Sequence, residues 1–313
     1  MNRKLALACS CIAGALTCSR AYAQDAVSNA ESVVVTGEND IRSAYGAPGT
    51  FSRTRFSPTT TAYVLPPWQF LLATIYEGDA FQHGPPDHLF TQELEMGLPS
   101  RFGVAAETQL ERFNGGGGFD TVSLEGRYAL ADWDKIPLNP TLFVEYKFGV
   151  GVIRHEETMP PPGAGAEEES GPPQHPDAYE VRLLLAEEFC QRWEWAFNAF
   201  FEKENTGDRG REIGFAQSLM TPIVLPNEKL KVGVEMEYKN FSVKDTRGNA
   251  DNIFVVGPSA AYRTSTNTRF EVSTLFGCTN DSPHVQVFGV FSWLLGPPGP
   301  GEQGEAPVST RNR

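Results

Sequence analysis

Past residue 23 the chain has no run of about 20 consecutive apolar residues, the length an α-helix needs to span a bilayer, so a transmembrane helix is excluded. Basic residues are also short. Lys and Arg number 26 against 39 Asp and Glu, a formal net charge of −13 that argues against nucleic acid as a partner. Cysteine is sparse, and three of the five (Cys9, Cys11 and Cys18) lie in the first two dozen residues. The five histidines (His83, His88, His155, His175 and His284) show no ligand spacing on a defined element, so none is expected to hold a metal. No His-x-Ser pairing supplies a nucleophile beside its base. The four glycines at 115–118 lack the following Lys-Ser/Thr of a phosphate loop. The chain therefore reads as non-enzymatic, with no cofactor.

What is present begins with a secretory leader. Arg3 and Lys4 precede an apolar stretch, and Ala21-Tyr22-Ala23 forms a small-x-small cleavage site before Gln24. Residues 1–23 are read as a signal peptide, and its removal takes Arg3, Lys4 and Arg20 and leaves the mature chain more acidic still. Residues 24–67 are rich in Ser, Thr, Gly, Ala and Pro and read as a flexible, disordered periplasmic segment.

From Trp68 the texture changes to alternating runs of about ten residues. The plainest example is the pair at 89–110, joined by Pro99, Ser100 and Arg101. Phe90, Leu94, Met96 and Leu98 share one face of its first run, and Thr91, Glu93, Glu95 and Gly97 share the other. In the second run Phe102, Val104, Ala106 and Leu110 oppose Gly103, Glu107, Gln109 and Glu111. A soluble sandwich would bury the apolar face, whereas a membrane barrel turns it to lipid and points the charges into its lumen.

Twelve such runs follow, at 68–76, 88–98, 102–113, 120–131, 140–152, 178–188, 192–203, 211–221, 229–241, 252–263, 268–277 and 284–294. Their number is even, and the longest connection (153–177) falls in the series after odd-numbered runs. Short periplasmic turns and longer external loops are the outer-membrane arrangement. The expectation is an all-β fold: a twelve-stranded antiparallel transmembrane β-barrel over 68–295, in the outer membrane of a Gram-negative cell, with a disordered tail at 296–313. Cys190 then lies in a periplasmic turn and Cys278 in an external loop, so no intrachain disulfide is expected.

Parity places a charged set in the lumen. The acids are Glu93, Glu95, Glu107, Glu111, Glu125, Glu145, Glu180, Glu194, Glu202, Glu235, Glu237 and Glu271. The bases are Arg127, Lys147, Arg182, Lys231, Lys239, Arg263 and Arg269. Two readings stay open: a water-filled, cation-favouring path, or an interior filled by cross-strand ion pairs that conducts little. The corresponding functions are a channel or transporter for small solutes, and a non-conducting structural or adhesive barrel acting through its external loops. Expected partners are outer-membrane lipid and lipopolysaccharide, the barrel-assembly machinery and small solutes.

The hairpin phrase Glu93-Leu94-Glu95-Met96-Gly97-Leu98-Pro99-Ser100-Arg101-Phe102-Gly103-Val104, with the leader and the sustained alternation, resembles the outer-membrane β-barrel superfamily. Within it, that phrase resembles the meta-pathway phenol-degradation-like transporters, which implies passage of small molecules. Separately, Glu31, Ser32, Val33, Val34, Val35 and Thr36 resemble a TonB box, which implies strand pairing with the TonB protein. The chain departs from that transporter family in having no room for a large plug domain or twenty-two strands.

Overall fold

The computed structural model describes residues 44–53, 55–58, 60–82, 84–113, 116–151, 175–190, 192–207, 209–223, 229–244 and 247–296. Twelve antiparallel strands close into a barrel in sequence order: β1 (Phe70–Ala80), β2 (Asp87–Leu98), β3 (Phe102–Phe113), β4 (Gly116–Ala129), β5 (Thr141–Gly149), β6 (Ala178–Phe189), β7 (Trp193–Glu204), β8 (Arg211–Pro222), β9 (Leu230–Ser242), β10 (Asp251–Arg263), β11 (Thr268–Gly277) and β12 (Val285–Leu295). Closure is made by β1 against β12, paired from Phe70↔Leu295 to Ala80↔Val285. Each ladder satisfies its neighbour's backbone groups and leaves no open edge, which is the condition for a sheet to cross lipid.

The polarity is the inverted one. Leu94, Leu124, Val144 and Val272 lie about half-exposed on the outer wall, while Glu93, Glu95 and Glu125 are buried inside. Rings pair along the outside, as in Phe102 with Tyr128 at 4.6 Å and Phe270 with Phe291 at 4.8 Å. A row of Trp195, Phe197, Phe215 and Tyr238 runs across β7, β8 and β9 at centroid spacings of 5.8–6.0 Å. A closed barrel with a lipid-facing apolar wall and a charged interior is an outer-membrane β-barrel.

Two local features depart from simple alternation. The β3–β4 turn is much tighter than the 114–119 connection expected, because β4 begins at Gly116 and pairs back to Phe113. The β3–β4 register also shifts between Thr108 and Leu110. There Gln109 faces both Asp120 and Thr121, a bulge that aims two consecutive side chains inward.

The largest difference concerns the segment before the barrel. Of the stretch 24–67 expected to be flexible in the periplasm, the described residues between 44 and 67 instead enter the lumen from the periplasmic end. They carry the short helix α1 (Gly49–Arg53) and an isolated bridge between Arg55 and Thr61. Ala44, Ala47, Phe51, Phe56, Ala62, Tyr63 and Val64 form one buried cluster with Ala129, Trp133, Ala186, Ala196, Met220 and Ala261 of the barrel. The reason lies in the wall: inward positions at the periplasmic end carry alanine, which leaves room for a second layer of chain. Burial of aromatic rings there supplies the hydrophobic gain that composition alone did not suggest.

The exit of this segment explains a residue in the hairpin. A Cβ on Gly97 would stand 2.1 Å from the Pro66 carbonyl oxygen and 2.6 Å from that of Leu65, so only glycine lets the chain pass. Gly97 and the departing chain then exchange backbone bonds, Trp68 N–H to the Gly97 carbonyl at 2.7 Å and Gly97 N–H to the Gln69 carbonyl at 2.9 Å.

Candidate functional site: the plugged lumen

The lumenal segment is bound on opposite walls. Arg127 of β4 donates to Thr60 Oγ1 at 3.0 Å and to Thr61 Oγ1. On the far side Lys231 of β9 donates to Thr50 Oγ1 at 2.5 Å, and Asn198 of β7 accepts from the Thr60 N–H at 3.1 Å with its amide so oriented. In a ring of twelve strands β4 and β9 lie nearly across from one another, so the segment spans the lumen. At the rim Tyr45 OH donates to the Leu98 carbonyl at 3.0 Å and Tyr63 OH to the Ala131 carbonyl at 2.7 Å. Trp133, in the β4–β5 turn, packs against Phe51 at 4.8 Å and edge-on against Tyr63 at 5.3 Å. Burial raises the Tyr63 phenol pKa to about 12, with the Asp132 carboxylate adding to the effect.

Several of the expected lumen residues, Glu93, Glu95, Glu125 and Arg127 among them, are buried together. Arg127 is fully buried and meets Glu93 at 3.2 Å, Glu95 at 3.2 Å and Glu125 at 2.8 Å. The segment adds Arg55, which pairs with Glu93. Burial opposes the Arg55 charge, but Glu93, Glu107 and Glu125 around it raise its pKa above the ordinary guanidinium value. Glu95 also accepts from Thr61 Oγ1 at 3.0 Å. Farther out, Lys147 meets Glu202 at 2.5 Å, Glu180 at 3.4 Å and Glu145 at 4.0 Å, while Arg182 pairs with Glu180. Lys231 pairs with Glu194, Lys239 with Glu237 at 3.2 Å and Arg269 with Glu271 at 3.9 Å. Glu235 accepts from Ser218 at 3.3 Å and Ser259 at 3.1 Å. Arg263 is half-buried at the periplasmic end of β10, and Glu111 is half-buried near the external end of β3.

The charged set named from parity leaves out several lumen groups. Phe143 and Phe200 point inward among charges: the Phe143 ring lies 5.4 Å from the Arg127 guanidinium and 5.2 Å from that of Arg182, which also sits 5.6 Å from Phe200. Glu77 accepts from Gln286 Nε2 at 2.7 Å across the β1–β12 seam. Asp120 escaped notice because the bulge resets the alternation, and Arg55 because its segment was not placed in the lumen.

Outside the segment, a cavity of about 170 Å³ remains between Arg55 and Thr60 below and Lys147, Glu202, Glu237 and Lys239 toward the external mouth. Its lining carries more carboxylates than cations, Glu107, Glu145 and Glu212 among them.

Of the histidines, His88 Nδ1 lies 2.9 Å from Tyr76 OH, and His175 Nδ1 lies 2.5 Å from Asp120 Oδ1. Cys278 is a free, exposed thiol, as expected for a residue remote from Cys190. Cys190, expected to form no intrachain disulfide, is instead disulfide-bonded. Residues 31–36, the TonB-box-like run, also lie outside them.

Among solved structures, the barrel is similar to the KdgM porin in complex with disordered oligogalacturonate, at 10% identity and a TM-score of 0.44, covering 71% of this chain and 98% of that one. It is similar also to the translocator domain of the autotransporter NalP from Neisseria meningitidis, at 9% identity and a TM-score of 0.41, covering 74% and 88%. The beta domain of the Bordetella autotransporter Brka gives 8% identity and a TM-score of 0.43, covering 73% and 99%. No protein-family profile and no curated protein matches the chain, so the resemblance to meta-pathway transporters rests on the hairpin phrase alone.

Proposed function

We propose that the protein is a non-enzymatic, gated outer-membrane channel for small solutes, closed by its own residues 44–67. The observation that supports this most directly is the pairing of Arg127 with both the strand carboxylates and Thr60 and Thr61 of the segment. Bonds of this type can be exchanged for water, whereas a lumen filled by wall side chains alone would have no movable part. With the segment withdrawn, Glu93, Glu95, Glu107, Glu125 and Glu145 would line a wetted path, and the carboxylate excess would favour cations.

The TonB-box-like residues 31–36 stand just upstream of the lumenal segment, so tension applied there by a periplasmic partner would be delivered to it first.

Influx into proteoliposomes tests the reading. Vesicles bearing a variant without residues 44–67 should admit small cations faster than anions of equal size, and faster than vesicles bearing the full mature chain. Equal, background influx for both proteins would favour the non-conducting, structural barrel.

A further inference from the structure

Asp120 is turned inward by an irregularity rather than by alternation. Between the pairs Thr108↔Val122 and Leu110↔Phe119, Gln109 alone faces Asp120 and Thr121. Phe119 and Val122 are exposed on the lipid side and Thr121 is buried, so both bulge residues face the lumen. Thr121 Oγ1 fixes the bulge by donating to Gln109 Oε1 at 3.0 Å. Bulges at barrel rims commonly serve to re-aim a side chain.

A third segment is brought to the same point. His175, just before β6, donates its backbone N–H to the Gly151 carbonyl at 3.2 Å, while the Val150 and Gly151 N–H groups both bond to the Asp120 carbonyl at 3.2 and 3.1 Å. Gly149 and Gly151 make this approach feasible. A Cβ on Gly149 would lie 1.8 Å from the His175 carbonyl oxygen, and one on Gly151 would lie 3.0 Å from His175 Cδ2. The imidazole is thereby held against Asp120, with Glu111 of β3 beside them. One ligand atom from each of Glu111, Asp120 and His175 lies within 4.8 Å of the other two. The Glu111 carboxylate stands next to a second carboxylate, that of Asp120, and faces the same imidazole.

From this geometry we infer that Glu111, Asp120 and His175 form a binding site for a divalent transition-metal ion at the external mouth of the barrel. Two carboxylate oxygens and one imidazole nitrogen are a ligand set that zinc and its neighbours accept, with the remaining positions open to water or an incoming ligand. The two carboxylate charges balance the ion. Neighbouring ligands on a tetrahedral zinc ion lie roughly 3.4 Å apart, so the 2.5 Å contact between His175 and Asp120 would open as the ion enters and the long Glu111 side chain would turn toward it. The site rests on the rim geometry and stands whether or not the lumen conducts.

Calorimetric titration of zinc chloride into the folded, full mature chain in detergent micelles tests it. The wild type should bind zinc at this site, with affinity unchanged by His88→Ala. Glu111→Gln and His175→Ala should each weaken binding by at least about tenfold, the scale on which even supporting residues of metal sites act. Heat-modifiable gel mobility reports whether each variant is folded, and the near-isosteric Glu111→Gln decides the matter if His175→Ala is not. Absence of zinc binding in the wild type, or undiminished affinity in folded Glu111→Gln, would overturn the inference.

Discussion

Arg127 and Glu95 meet at 3.2 Å, both fully buried, at a point where Thr61 reaches each of them. The contact ties two strands to the segment that fills the lumen. Removing one partner of such a pair leaves an uncompensated buried charge, which is the costlier way to break it.

Arg127→Gln leaves Glu93, Glu95 and Glu125 without their shared cation. The expected loss is about 3–5 kcal/mol, typical of a broken buried pair. Part of it should be expressed as release of the segment, because Thr60 and Thr61 lose their donor. A lower thermal midpoint together with faster cleavage within residues 44–67 by added protease is the expected result; a lower midpoint with unchanged cleavage would place Arg127 in the wall alone.

Gly97→Ala acts on the segment's exit. The new methyl meets the Pro66 and Leu65 carbonyl oxygens, neither of which belongs to a flexible side-chain end. Crowding of this kind costs about 1–3 kcal/mol. The variant should still assemble as a barrel, since the β1–β2 and β2–β3 ladders run on either side, yet show increased protease access to 44–67. Wild-type protection in the variant would count against the close passage.

Much of this architecture was legible in the chain, and the particulars show why. Along β2 and β3 the side chains of Glu93, Glu95, Glu107, Phe90, Leu94 and Val104 fall on the faces that alternation assigns them, because a strand paired on both sides cannot rotate. Alternation carries no information where the ladder slips, so Asp120 went unseen. Nor does it identify an inserted chain: residues 44–67 look polar and Gly/Pro-containing, and their docking depends on Ala129, Ala186, Ala196 and Ala261, which come together only when the barrel closes. Nothing in the hairpin itself requires glycine at position 97; the requirement comes from Pro66, which lies far from it in the sequence until the segment docks.

Tyr63 offers a pH test. Its phenol pKa of about 12 in the folded protein exceeds the free value of about 10. The folded state therefore favours the protonated phenol, and this stabilisation is full below pH 10 and is lost as pH rises toward 12. A spectrophotometric titration of the wild type minus that of Tyr63→Phe should show one tyrosine ionising near pH 12. Ionisation near pH 10 would mean that Tyr63 is exposed to water.

Leu124 tests the orientation of the wall. It is 57% exposed, and its neighbours Ser123 and Glu125 are buried. Arginine on a lipid-facing position costs about 2–4 kcal/mol near the bilayer midplane. Leu124→Arg should lower folding stability in bilayers by that order, as measured by denaturant titration; no change would indicate that this face does not meet lipid.

The central claim is that residues 44–67 close the barrel. Single-channel recording in planar bilayers tests it most directly. The full mature chain should give few or no openings, and deletion of 44–67 should give discrete, cation-preferring steps. Large steady currents from the intact chain, or silence from the deletion variant in its folded form, would contradict it.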